Sequence, residues 1–204
     1  MLKIENLFPG SFGANCYLLC DGSHAAVIDA SARATTILDA CSALGARLDY
    51  VLLTHGHFDH ITSVDALRDA VGVPVCIHAK DADFLTDSHK NAFYPLFGKE
   101  RIYRRADKLL AEGDVLTLGD SKIQVLCTPG HTQGSVCFLV NNELLFTGDT
   151  LFDGGYGRCD LFGGDVAAMK QSLLRLQGMD PTLRIYPGHG KSISLGAALD
   201  KIWN

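Results

Sequence analysis

The hydrophobic residues of this chain fall into two kinds of pattern. Short uninterrupted runs such as Tyr50-Val51-Leu52-Leu53, Val125-Leu126-Cys127 and Leu144-Leu145-Phe146 read as buried strands, and the glycines and prolines that follow mark where they end. Read along the chain, runs of this kind predict strands over 3–8, 16–20, 25–29, 50–54, 75–78, 115–118, 123–127, 135–140, 143–147 and 183–186. Elsewhere apolar residues recur every three or four positions, the period of one helix face. Ile37, Leu38, Cys41 and Leu44 make such a face from about Arg33, with Ser31 as the expected cap and Gly45 as the stop. Ile61, Val64, Leu67 and Val71 make a second, in a helix beginning near Asp59. Val166, Met169, Leu173 and Leu176 make a third, capped by Asp165 and ended by Gly178, and a last helix spans 194–203. Strands followed by helix, twice over, predict an α/β fold of two sheets flanked by helices.

A chain of 204 residues is expected to fold as one domain, 1–204. Its least regular stretch, 81–107, mixes charge with Phe84, His89, Phe93, Tyr94, Phe97 and Tyr103. Such a stretch is expected to be a lid or a helical insertion pinned by its aromatics.

The chemistry sits where the strands stop. Tyr50-Val51-Leu52-Leu53 runs into Thr54-His55-Gly56-His57-Phe58-Asp59-His60. Val125-Leu126-Cys127 runs into Pro129-Gly130-His131, Leu144-Leu145-Phe146 into Thr147-Gly148-Asp149, and the run 183–186 into Pro187-Gly188-His189. Seven donors are therefore expected at neighbouring strand ends: His55, His57, Asp59, His60, His131, Asp149 and His189. Alternation along the turn sends His55 and His57 to one side, while Asp59 and His60 face a second position. Imidazole and carboxylate suit zinc, iron or manganese, and carboxylate is the donor best able to bridge two ions. Turn residues with satisfied hydrogen bonds would explain any single histidine, but not the repetition.

Composition narrows the partners. A net charge of −5, from 18 basic and 23 acidic residues, speaks against a nucleic-acid surface. The chain is 47% hydrophobic, yet no run is long enough to span a membrane, and Met1-Leu2-Lys3-Ile4-Glu5-Asn6 does not resemble a secretory signal. The seven cysteines are odd in number and mostly inside apolar runs, which fits small buried hydrophobes in a reducing cytoplasm. A small-molecule substrate is the expected partner.

The motifs Thr54-His55-Gly56-His57-Phe58-Asp59-His60, Thr128-Pro129-Gly130-His131-Thr132, Thr147-Gly148-Asp149-Thr150 and Gly188-His189 together resemble the metallo-β-lactamase superfamily. Their order agrees from Asn15-Cys16-Tyr17-Leu18-Leu19 to His189, and the chain is most similar to the short hydrolases related to glyoxalase II, the hydroxyacylglutathione hydrolases. The resemblance implies an αββα sandwich of two mixed sheets with a metal site at one edge. It implies two divalent ions, one held by His55, His57 and His131, the other by Asp59, His60 and His189, with Asp149 as the bridge. Asp59 doubles as the catalytic residue that orients the nucleophile. True β-lactamases commonly place Cys or Ser where this chain has Asp149, so the aspartate favours the thioesterase and oxygenase branches. Metal-bound water with a pKa near 7 would supply hydroxide, and the second ion would stabilise the oxyanion or the leaving thiolate.

The departures concern the substrate. Arg158 keeps the basic residue that touches glutathione in glyoxalase II relatives, but Asp160 replaces the aromatic two positions on; Arg158 can bind a substrate carboxylate or clamp the loop by pairing with Asp160. Lys191 stands where an aromatic follows the last histidine, and with fifteen residues after His189 the helical domain that gives the relatives further glutathione contacts is not expected. Arg158 and Lys191 are the candidate substrate contacts. The leading expectation is a metal-dependent hydrolase of a small thioester such as S-lactoylglutathione. The alternative is a mononuclear iron sulfur (persulfide) dioxygenase. A non-catalytic metal-binding module is disfavoured because no donor has been lost.

Overall fold

The computed structural model describes residues 1–7 and 13–203. Among the described residues twelve strands form two six-stranded sheets. The first holds β1 (Lys3–Asn6), β2 (Tyr17–Asp21), β3 (His24–Ile28), β4 (Arg47–Leu52), β5 (Val75–His78) and β6 (Lys108–Leu110), side by side in chain order. β1, β2 and β3 are antiparallel neighbours, while β3 to β6 run parallel, so the sheet is mixed. The second sheet reads β12-β11-β10-β9-β8-β7, from β7 (Val115–Leu118), β8 (Ser121–Cys127), β9 (Val136–Val140), β10 (Leu144–Gly148), β11 (Arg184–Pro187) and β12 (Ile193–Ser194). Only β10 and β11 are parallel in it. The helices are α1 (Ala34–Ala43), α2 (Val64–Val71), α3 (Phe93–Phe97), α4 (Val166–Gln177) and α5 (Leu195–Trp203).

Period-two alternation sorts the strand residues into layers. Leu18, Val27, Val51 and Val75 pack outward against Ile37 and Cys41 of α1 and Val64 and Leu67 of α2. Their neighbours Leu19, Ala26, Leu52 and Cys76 face inward and meet Val125, Phe138 and Phe146 of the second sheet. On the far side Leu126, Leu139, Leu145 and Ile185 pack on Met169, Leu173 and Leu176 of α4 and Ala198 and Leu199 of α5. The result is the expected αββα order. Both faces of the central strands are covered, which is why their sequences are continuous apolar runs.

Several expectations are corrected. Ser31 does not cap α1; its hydroxyl donates to the Ala14 carbonyl (2.6 Å), and Arg33 occupies the cap position without a side-chain bond. The second helix begins at Val64 rather than near Asp59, and Val71 is half exposed rather than buried. Val166 also points to solvent, at the first turn of α4, where Asp165 does cap as expected by accepting from the Ala167 and Ala168 amides. Strands β6 and β12 were not anticipated; at three and two residues they are too short for a periodic signal. Phe8, expected to end the first strand, lies outside the described residues. In the 81–107 stretch the buried side chains of Phe84 and Tyr103 pin the segment to the body, whereas Leu96, Phe97 and Ile102 stay exposed. Among the described residues no helix is long and apolar enough to cross a membrane.

Candidate metal centre

Five strands point their carboxyl ends at one edge of the sandwich, and each is followed by a polar side chain that the next turn aims inward. β4 leads to His55, β8 to His131, β10 to Asp149 and β11 to His189. The fifth is β3, whose apolar run Ala25-Ala26-Val27-Ile28 ends at Asp29. Close approach of these turns requires glycine: a Cβ at Gly188 would collide with Asp149 and His60, and one at Gly157 with His131 and the Asp149 carbonyl.

Three groups of donors converge: His55, His57 and His131; His55, His60 and Asp149; Asp59, His60 and His189; within each group the donor atoms lie within 4.8 Å of one another. All seven residues expected from the sequence to carry donors are thus brought together. In the first group His57 Nδ1 is 2.8 Å and His55 Nε2 3.2 Å from His131 Nε2. Tetrahedral coordination at about 2.0–2.1 Å places neighbouring nitrogens about 3.3 Å apart, so the spacing suits a divalent ion.

The outer hydrogen bonds decide the tautomers. His131 Nδ1 is 2.7 Å from the Arg158 carbonyl and must donate to it, leaving a lone pair on Nε2. The Thr54 hydroxyl gives its proton to Asp29 Oδ2 (2.7 Å), so His55 Nδ1, 3.1 Å away, donates to Thr54 and also keeps a lone pair on Nε2. Those two lone pairs face each other across 3.2 Å, an arrangement that suits a cation between them. A second sign is that the buried His60 Nε2 and Asp149 Oδ1 lie 3.3 Å apart without a hydrogen bond between them or to any other described group. Donors left in this state fit a shared ion.

Electrostatics divides the set. Burial pushes His55 and His131 below the usual imidazole range and His57 down to about 3, so all three are neutral ligands. At His60 burial opposes charging, but the carboxylates of Asp29, Asp149 and Asp59 outweigh it and hold its pKa well up. The carboxylates of Asp149 and Asp59, 3.6 and 3.4 Å from its Nε2, raise His189 to about 9. Burial would raise Asp149, yet His60 and His189 overcompensate and keep it ionised. A proton and a divalent ion compete for the lone pairs of His60 and His189, and the anionic surroundings favour either. The His60 side chain is 0% exposed, Asp149 10%, Asp59 17% and His189 38%, so the centre opens on the Asp59–His189 side.

Two carboxylates escaped sequence reasoning. Asp29 accepts from the Thr54 amide (2.8 Å), the Thr54 hydroxyl and His60 Nδ1 (2.7 Å), and so fixes two candidate ligands at once. It obeys the same rule of apolar run followed by a polar residue and could have been found by it. Asp81 is fully buried and accepts from the amides of Gly56 (3.1 Å) and Gly134 (2.7 Å) and from the Thr132 hydroxyl (2.7 Å), tying together the two histidine loops. Burial pushes its carboxyl up to about 6. It lies within the irregular stretch, where no periodic signal marks it. Asp29→Ala is expected to weaken metal affinity about 10- to 100-fold, the usual cost of losing an orienting partner, measured by competition with a chelating dye. Unchanged affinity would mean that Asp29 serves only the fold.

Of the candidate substrate contacts, Arg158 forms a two-pronged pair with Asp160 (2.7 Å each), both exposed, so the loop clamp is what is observed. Lys191 is exposed beside His189. Cys159 is half-buried, its thiol directed at the Gly157 carbonyl, and all seven cysteines are free. His24 pairs with Asp49, His78 accepts from the Lys80 amide, and His89 packs on Tyr94 within the 81–107 segment.

The family pattern of the metallo-beta-lactamase superfamily matches residues 9–189. The chain belongs to the metallo-β-lactamase superfamily. A hydroxyacylglutathione hydrolase from Acidiphilium cryptum is 34% identical over 178 residues, covering 87% of this chain and 65% of that protein. The crystal structure of the B3 metallo-beta-lactamase BLEG-1 superposes with a TM-score of 0.88 at 33% identity, over 98% of this chain and 97% of that one. That of TTHA1623 in a di-iron-bound form gives 0.84 at 32% identity and covers 98% of each chain. These superfamily relatives and the donor geometry support a metal-dependent enzyme of the metallo-hydrolase type.

Proposed function

We propose that this chain hydrolyses small acyl thioesters at a centre of two divalent ions, zinc in the first instance, with iron or manganese as substitutes. The carrying observation is Asp149. Its Oδ1 lies 3.3 Å from His60 Nε2, and its Oδ2 lies 3.4 Å from His131 Nε2 and 3.6 Å from His189 Nε2. One buried carboxylate therefore faces both donor groups, which supports a bridge over a single-ion arrangement. Likeness to a hydroxyacylglutathione hydrolase and the aspartate at position 149 favour the thioester over other acyl compounds.

Divalent ions at such a centre supply Lewis acidity and a water acidic enough to attack at neutral pH. The chain's own groups do the rest. His55, His60 and His131 are held by Thr54, Asp29 and the Arg158 carbonyl in turn, and with the buried His57 they exclude bulk water from the inner side. Asp59, with Oδ2 3.4 Å from His189 Nε2 on the open side, is placed to orient the attacking water. Water adds its oxygen to the acyl carbon, the carbon–sulfur bond breaks, and the sulfur departs with a proton.

The test is kcat/KM for S-lactoylglutathione against the lactoyl thioester of N-acetylcysteamine, with metal content measured on the same samples. We expect cleavage of both, with two ions per chain and less than about a hundredfold preference, about 2.7 kcal/mol of discrimination. Oxygen consumption with glutathione persulfide, one iron per chain and no thioester cleavage would transfer the assignment to a dioxygenase. Turnover of β-lactams alone would overturn the reading of Asp149.

A further inference from the structure

We propose that the cleft between β1 and the strand β11 of the second sheet binds an anionic tail, carboxylate or phosphate, on the thiol half of the substrate; this rests on the thioester reading above. The cleft holds about 720 Å³ and runs from His189 back to Arg184. Four features point to an anion.

First, strand register sets Arg184 on the inward side. Ile185 packs outward among the α4 and α5 contacts, while Tyr186 packs inward against Tyr17 and Phe146, and Arg184 shares the parity of Tyr186. Arg184 is exposed at the start of the strand, so its guanidinium lies along the solvent-open side of the cleft, within reach of a charged ligand. Second, the described residues lining the cleft include Arg184 and Lys191 but no aspartate or glutamate. In a chain of net charge −5 this is a local reversal of sign. Neither cation has an ion pair among the described residues, so no carboxylate among these neutralises them. Third, the Ser192 hydroxyl is buried in the same cleft without a hydrogen-bond partner. By contrast, the Tyr17 hydroxyl in the same cleft donates to the Pro187 carbonyl (2.8 Å) and accepts from Asn15 (2.9 Å). Fourth, the cleft is continuous with the exposed edge of the metal centre. Arg184 opens the strand that ends at Pro187, so it sits about 10 Å from the turn bearing His189, at about 3.3 Å per residue. A thioester carbonyl over Asp59 and His189 would lay its thiol half along the cleft, with Lys191 near the sulfur and the Arg184 fork at the far end.

Binding is read without turnover. Metal-loaded protein is titrated by calorimetry with three non-hydrolysable thioethers: S-methylglutathione, S-methyl-coenzyme A and the neutral S-methyl-N-acetylcysteamine. We expect at least one anionic thioether to bind at least tenfold more tightly than the neutral one, with the advantage falling as salt is raised. The glutathione and coenzyme A arms separate a carboxylate from a phosphate tail. Arg184→Gln and Lys191→Gln, singly and combined, keep the bulk of the side chains and should remove the advantage while leaving thermal stability and the neutral thioether unaffected. Equal binding of neutral and anionic thioethers overturns the proposal, as does an advantage that survives the double variant, which would point to Arg158 instead. Charge-dependent binding without thioester cleavage would leave the cleft standing and remove the proposed reaction. Cleavage without charge dependence would do the reverse.

Discussion

Asp149→Ala is expected to lower kcat by about 10³ or more, equivalent to about 4 kcal/mol of lost transition-state stabilisation. Among the described residues Asp149 is the one carboxylate within 3.6 Å of His60, His131 and His189 together, so its loss disturbs both halves of the proposed centre. It also removes the negative charge that balances several imidazoles in a site shielded from water. The fall should appear in kcat more than in KM, with metal content reduced as well. The flanking threonines provide the control. The Thr147 hydroxyl bonds the Leu151 carbonyl (2.8 Å) and the Thr150 hydroxyl bonds Thr128 (2.8 Å), both buried and both directed at the fold. Their alanine variants should lose about 1–2 kcal/mol of stability and little turnover. Near-normal turnover with full metal content in Asp149→Ala would show that it does not bridge.

Chelation is expected to lower the melting temperature by roughly 10 °C, reversibly on adding metal back. An ion present at about a thousand times its dissociation constant stabilises the folded chain by about 4.1 kcal/mol, and a domain of this size shifts roughly 2–4 °C per kcal/mol. The structural reason is the crowding of facing lone pairs and carboxylates that the ions would neutralise: His55 and His131 across 3.2 Å, His60 and Asp149 across 3.3 Å. Scanning calorimetry with and without chelator reads the shift. An unchanged melting temperature after verified metal removal would show that the donors are already satisfied by their own protons.

The chain's patterning made the strands legible because each central strand is buried on both faces, and a run such as Tyr50 to Leu53 has no other stable use at that length. It also made the candidate metal centre legible, since His55, His131, Asp149 and His189 each follow such a run and these strand ends share one edge. Local pattern failed where tertiary contacts overrode propensity. Ser31 is a good cap by type, but its hydroxyl is taken by the Ala14 carbonyl. The stretch before Val64 is helical by period, yet it is held in turns because His60 Nδ1 is fastened to Asp29 (2.7 Å) and the Ser63 hydroxyl to the Ala32 carbonyl (2.6 Å).

By itself, then, the sequence determined the layers and which candidate ligands meet at the edge, because alternation and strand ends are local properties of the chain. Only the tertiary structure decided which nitrogen of each histidine is free, that Asp29 and Asp81 hold the loops carrying the histidines, that Arg158 is engaged by Asp160, and that Arg184 and Lys191 share a cleft without a carboxylate. Those outcomes depend on hydrogen-bond partners and charges far apart along the chain: Asp29 lies 31 residues from His60, and Asp81 lies 53 from Gly134. No local pattern carries information over such separations; the packing of the two sheets brings these groups within a few ångströms.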